Sequence, residues 1–133
     1  MGAELAAGSL AVTLHRTMAR VAVRVEEITG REGVLLPQWL VLTCLAEAGD
    51  LAMGELVAGT GLNDSTLTRV VDRLATSGLV YRAVDPEDRR RVRVSLADRG
   101  RTLHDRLAPD VEAVERELAE DPTAVHAGGL PGP

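Results

Sequence analysis

The run GELVAGTGLNDSTLTRVVDRLATSGLVYRAVDPEDRRRVRVSL, residues 54–96, passes from helical spacing of apolar residues to strict alternation within one short segment. Asn63 is a good N-cap, and Asp64 adds negative charge at the positive end of the helix that follows. The helix is expected over Asp64–Ser77, with Leu67, Val70, Val71 and Leu74 as its buried stripe and Gly78 closing it. Its other side carries Ser65, Thr66, Thr68, Arg69, Asp72, Arg73 and Thr76. Upstream, a short helix over Gly54–Ala58 is broken by Gly59-Thr60-Gly61. Downstream, Leu79–Val84 reads as a strand, and Arg91–Leu96 alternates Arg91, Arg93 and Ser95 with Val92, Val94 and Leu96. The polar turn Asp85-Pro86-Glu87-Asp88-Arg89-Arg90 joins the two, so this is a hairpin with one apolar and one cationic face.

Outward from this segment, Pro37 suits the first turn of a helix over Gln38–Ala48 that offers Trp39, Leu40, Leu42 and Leu45 to a core. Gly49 and Asp50 close it, and Leu51-Ala52 is long enough only for a minimal strand. At the N-terminus, Leu10, Leu14, Met18, Val21, Val25 and Ile28 recur at intervals of three and four behind a Ser9 cap. Val12, Ala19, Ala22 and Val23 widen that arc. Such a helix is either central in a domain or shared between subunits, and the short chain favours sharing. Ser95 and Asp98 have the spacing of a capping box for a last helix carrying Leu103, Leu107, Val111, Val114 and Leu118. Pro109 is expected to kink this helix or start a new one. The acidic run Glu112, Glu115, Glu117, Glu120 and Asp121 reads as a solvated face, and the tail 122–133 as disordered.

The 133 residues support one domain with, at most, a helical extension. With no Phe, and Trp39 and Tyr81 the sole aromatics, the core must be Leu, Val and Ala, which suits helices. The fold class expected is mainly α with a small β wing. All 15 basic residues are Arg, set against 20 acidic residues for a net charge of -5, which excludes coating nucleic acid by bulk charge. Residues 63–93 nonetheless carry seven arginines against five acids, a local +2, while the rest of the chain sums to -7. Cys44 is the single cysteine, so neither an intrachain disulfide nor a Cys-based zinc site is expected. Neither a signal peptide nor a membrane-length apolar run is seen, and a cytoplasmic protein without membrane partners is expected. The absence of a nucleophile–base set, a metal-ligand cluster and a phosphate-binding glycine loop argues against an enzyme; no cofactor and no metal are expected.

Helix, short helix, tight turn, helix and basic hairpin is the order of a winged helix-turn-helix, whose second helix enters the major groove of double-stranded DNA. Arg69 or Arg73 is then expected to bond to guanine acceptors, and Ser65, Thr66 and Thr68 to reach bases or phosphates. Arg89, Arg90, Arg91 and Arg93 supply the hairpin's charge for phosphates or the minor groove. Asp88 either braces Arg90 across the turn or is an ordinary turn acid. Tyr81 either bonds to phosphate or packs under the wing.

Three stretches, LLPQWLVLTCLAEAG at 35–49, GELVAGTGLNDSTLTRVVDRLATSGLVYR at 54–82 and DPEDRRRVRVSLADRG at 85–100, closely resemble the multiple-antibiotic-resistance regulator (MarR) family, over about residues 10–118. The resemblance implies a homodimer bound to a pseudo-palindromic operator, usually as a repressor, and often released by a small, commonly aromatic or anionic, effector. It places recognition residues on the helix over 64–77 and wing arginines including Arg89 and Arg90, with Asp88 and Arg90 at the paired wing-tip positions. Together with the reading of the residues, the DNA contacts expected are Ser65, Thr66, Thr68, Arg69, Arg73, Arg89, Arg90 and Arg91, with Asp88 as wing brace. On this reading 1–133 is a single MarR-like domain, with a dimerisation helix at 9–29, the winged helix-turn-helix at 37–96, C-terminal dimerisation helices at 97–119 and a tail at 122–133. His15, Trp39 and His104 are candidates for an effector pocket, against the plainer readings of solvated or hydrogen-bonded histidines and a core tryptophan. Cys44 reads as a buried apolar cysteine rather than a redox sensor. The alternative function is a family member that does not bind DNA and acts through a protein partner or by sequestering a ligand.

Overall fold

The computed structural model describes residues 8–120. The N-terminal apolar spacing forms α1, Leu10–Thr29, capped by the Ser9 side chain, which accepts from the Val12 backbone N–H at 3.3 Å. After a 3-10 turn, Gly30–Glu32, come α2 (Leu36–Ala48), β1 (Leu51–Ala52), α3 (Met53–Thr60), α4 (Asp64–Thr76), β2 (Val80–Val84), β3 (Val92–Leu96) and α5 (Asp98–Glu120). The described residues sort into two compact units: Glu32–Leu107, and one formed by the segments 8–31 and 108–120.

In the larger unit, α2, α3 and α4 surround a core in which Leu42, Leu45, Leu56 and Leu67 are completely buried. Each such side chain contributes about 1.5–3 kcal/mol by leaving water. Pro37 lies in the first turn of α2, and Gln38 reaches back to accept the Leu35 N–H at 2.8 Å. The sheet order is β1-β3-β2, all antiparallel, with Ala52 opposite Arg93, Arg82 opposite Val94 and Val84 opposite Val92. The minimal strand at Leu51-Ala52 thus ties the start of the helix-turn-helix to the hairpin.

Several local expectations change. Gly59 does not break α3 but lies within it; the break falls at Gly61, whose N–H donates to the Val57 carbonyl at 2.9 Å. Ser95 does not cap the last helix, because it is spent in β3 opposite Tyr81. The helix instead follows Ala97, whose carbonyl accepts from Arg101 N–H at 3.0 Å, and Asp98 supplies the first-turn charge. Leu79 is outside β2: its N–H donates to the Leu74 carbonyl at 2.9 Å while Gly78 donates to Ala75 at 3.0 Å. This pair of bonds closes α4 around Gly78 in the left-handed region (φ 75°), where a Cβ would be strained.

In the second unit, Val25, Ile28, Val111 and Leu118 are buried. Arg24 Nη2 meets Glu117 Oε2 at 3.1 Å, so one member of the acidic run is paired with α1. Instead of two helices, the C-terminal region is a single helix of 23 residues running through Pro109. Proline there removes the bond an ordinary residue would donate to the Asp105 carbonyl and crowds that carbonyl with its ring. The boundary between the units nonetheless falls beside it, between Leu107 and Ala108. Leu10, Leu14, Met18 and Val23 of α1 are exposed. Asp121 and the tail 122–133 lie outside the described residues.

Candidate nucleic-acid interface

The buried stripe of α4 (Leu67, Val70, Val71 and Leu74) fixes which side of the helix faces solvent. Ser65, Thr68, Arg69, Asp72, Arg73 and Thr76 are exposed there, and Thr66 is half-buried. The Asn63 side chain accepts from Thr66 N–H at 2.8 Å and from the Ser65 hydroxyl at 3.0 Å. The Thr68 hydroxyl donates to the Asp64 carbonyl at 2.9 Å. The Ser65 and Thr68 hydroxyls therefore present acceptor lone pairs outward, which suits N–H groups on base edges better than phosphate oxygens. Arg69 and Arg73, one turn apart, lie beside a hollow of about 510 Å3 lined also by Leu35, Pro37 and Val70.

At the hairpin tip, Arg89, Arg90 and Arg91 are exposed, the Arg90 side chain at 91%. One oxygen of Asp88 accepts both the Arg90 backbone N–H at 3.0 Å and its Nε at 3.3 Å. That contact occupies the near edge of the guanidinium and leaves its terminal nitrogens facing outward. Arg91 N–H donates to the Asp88 carbonyl at 2.9 Å, closing the turn.

Arg93, expected on the cationic face, is instead turned inward. Its Nε lies 3.0 Å from Asp50 Oδ1, and its Nη1 lies 3.7 Å from Asp85 Oδ2 and 4.0 Å from Glu55 Oε1. Three carboxylates from separate segments thus outcompete solvent for it, and it anchors the wing rather than presenting charge. Asp85 is buried at the wing base, where the Glu87 backbone N–H, 2.8 Å from Oδ1, is the main cause holding its carboxyl below the ordinary range; burial opposes this and Arg93 assists. A carboxyl depressed in the folded state stabilises above its unfolded pKa, about 3.9, and that contribution disappears as pH falls through the lower folded value. Denaturant titrations from pH 7 down to pH 3 are expected to show Asp85→Asn losing less stability on acidification than the parent; parallel losses would remove this role.

Tyr81 is 61% exposed and does not pack beneath the wing. Beside it on β2, Arg82 pairs through Nη1 with Asp72 of α4, a contact invisible to local spacing because the partners sit on different elements. Trp39 is buried, its ring stacked on His104 at a centroid distance of 4.7 Å and 15° between planes. His15 stands exposed on α1, in the second unit. Cys44 is half-buried, and burial, followed by the nearby Glu47 carboxylate, pushes its thiol above the ordinary value, against a reactive thiolate. Among the described residues, no cluster of three or more His, Cys, Asp or Glu is placed to hold a metal, and no helix is long and apolar enough to cross a membrane.

A helix exposing arginines and hydroxyls, carried by a helix-turn-helix and flanked by an arginine-tipped hairpin, defines a winged helix-turn-helix DNA-binding protein. A model of the MarR family matches residues 35–92. The chain is 33% identical over 109 residues to the uncharacterized HTH-type transcriptional regulator YsmB of Bacillus subtilis, covering 82% of this chain and 72% of that protein. A MarR family transcriptional regulator from Silicibacter pomeroyi is similar in structure, with a TM-score of 0.68, 30% identity, and coverage of 86% of this chain and 78% of that one. The PcaV transcriptional regulator of Streptomyces coelicolor, in complex with its natural ligand, gives 0.62 and 34%, over 66% of this chain and 63% of that one. The chain belongs to the MarR family of DNA-binding transcriptional regulators.

Proposed function

We propose that the protein is a repressor that binds a pseudo-palindromic operator as a homodimer and leaves it when a small ligand binds. The observation that carries the reading is the pairing of exposed Arg69 and Arg73 on α4 with the exposed wing arginines Arg89, Arg90 and Arg91. In this account α4 lies in the major groove with Ser65, Thr66 and Thr68 beside the arginines, and Asp88 steadies Arg90 for the adjacent backbone or minor groove. The exposed apolar residues Leu10, Leu14 and Met18 of α1 favour a second copy as the partner that covers them. With two copies related by a twofold axis, the recognition helices meet half-sites about one DNA turn apart, roughly 34–36 Å.

An effector acts by changing that spacing, so that both half-sites cannot be filled at once. The PcaV regulator, seen in complex with its natural ligand, supports a ligand-binding role. Trp39 and His104 offer flat rings to an aromatic ligand, which has to part the stack to enter; His15 is the remaining candidate, on α1. The test of the DNA reading is Arg90→Ala. It is expected to weaken binding to a specific duplex and to lower the slope of log K against log salt by about one counterion for each copy bound. Unchanged affinity across salt concentrations would remove the wing contact. Failure of the folded parent protein to bind any duplex would favour the alternative, a protein partner or ligand sequestration.

A further inference from the structure

Asp72 is an acid on the DNA-facing side of α4, three residues after Arg69. In a helix, that spacing brings the two side chains together, so Asp72 has a natural partner in one of the arginines meant for DNA. The structure shows a different pairing: Asp72 is engaged by Arg82 of β2, and Arg69 has no ion pair among the described residues. The Arg82 backbone sits opposite Val94, which is completely buried, so its strand position is fixed by the sheet. From there it reaches Asp72 at the edge of a hollow of about 290 Å3 that Met53, Leu67, Val71 and Val92 also line. The two side chains are 45% and 52% exposed, and a pair so solvated adds little to stability. Its value lies elsewhere.

Resting on the DNA-binding reading above, we infer that Arg82 is a positioning residue of the interface that acts through Asp72. It draws the carboxylate toward the wing strand and neutralises it, which keeps negative charge away from the phosphates and leaves Arg69 free for a base. Without Arg82, Asp72 turns to Arg69, and the interface loses a reading arginine and faces the DNA with an acid. Arg82 itself makes no phosphate contact in this account.

The test measures anisotropy at several salt concentrations with a duplex enriched from a random library, for the parent, Arg82→Ala, Arg82→Lys, Asp72→Asn and the double variant Arg82→Ala/Asp72→Asn. Circular dichroism confirms that each is folded. Arg82→Ala is expected to bind roughly tenfold more weakly with its salt slope unchanged, since no phosphate contact is lost. Removing the acid as well restores affinity to within about threefold, whereas Asp72→Asn alone and Arg82→Lys stay within about threefold of the parent. Arg82→Ala with parental affinity would show the pair to be idle. Weak binding by the double variant, with a slope lowered by about one for each copy bound, would make Arg82 a phosphate contact and overturn the inference while leaving the DNA reading intact. Enrichment of no duplex by the folded parent would instead overturn the DNA reading on which the inference rests.

Discussion

Gly100→Ala is expected to unfold the winged unit or to bring it close to unfolding, although alanine is the better helix former. In an open helical position the exchange gains about 1 kcal/mol. At Gly100, in the first turn of α5, an added Cβ would stand 2.0 Å from the Leu79 carbonyl oxygen, 3.0 Å from its carbon and 3.2 Å from Leu96 Cδ2. The oxygen cannot retreat cheaply. It accepts the Ala97 N–H at 3.0 Å, and the Leu79 N–H is committed to the Leu74 carbonyl at 2.9 Å, so the same peptide segment closes the recognition helix and anchors the start of α5. Overpacking against movable side chains costs about 1–3 kcal/mol. Against backbone, the cost lies at or above the top of that range, a large part of the roughly 5–15 kcal/mol that stabilises a domain. Urea denaturation reads the effect directly. Gly54→Ala is the control, because nothing lies within 4 Å of a Cβ at that helical position, and it is expected to leave stability unchanged or raised. A Gly100→Ala midpoint equal to that of the parent would contradict the packing described.

The largest effect on function is expected from Arg69→Ala/Arg73→Ala. A good bidentate arginine–guanine contact discriminates by about 1–3 kcal/mol, so losing two independent ones weakens specific binding at each half-site by between about 30-fold and about 10⁴-fold. Binding to a scrambled duplex falls much less, because that binding rests on overall charge at phosphates. Both side chains are exposed, and the buried face of α4 lies elsewhere, so thermal stability should hold within about 0.5 kcal/mol. Equal losses on specific and scrambled DNA would turn these arginines into phosphate contacts and move base reading to the hydroxyls of Ser65, Thr66 and Thr68.

What could be read from the sequence was mostly local. Asn63, Asp64 and Gly78 bound α4 because caps and left-handed turns are decided within a few residues, and the stripe from Leu67 to Leu74 selects its buried side from its own period. The hairpin follows from the alternation over Arg91–Leu96 and the polar turn at Asp85–Arg90 that joins it to the strand before. What escaped depends on partners far along the chain. Arg93 alternates like a surface residue, yet Asp50, Glu55 and Asp85 converge on it only once β1 pairs with β3. Arg82 looks like one more wing cation until α4 brings Asp72 to it. Ser95 has capping-box spacing, but the ladder with β2 claims it first. Gly100 carries no local mark of its importance, since the Leu79 carbonyl that requires it lies in a separate segment.

Selection from a library of random duplexes, using the purified full chain at moderate salt, shows whether two copies of the chain together read an operator. One sequence with twofold symmetry is expected to be enriched, its half-site centres about 10–10.5 base pairs apart, bound by two copies of the chain and resistant to scrambled competitor. Enrichment of no sequence by a protein shown to be folded, or of a site without twofold symmetry, would contradict that reading.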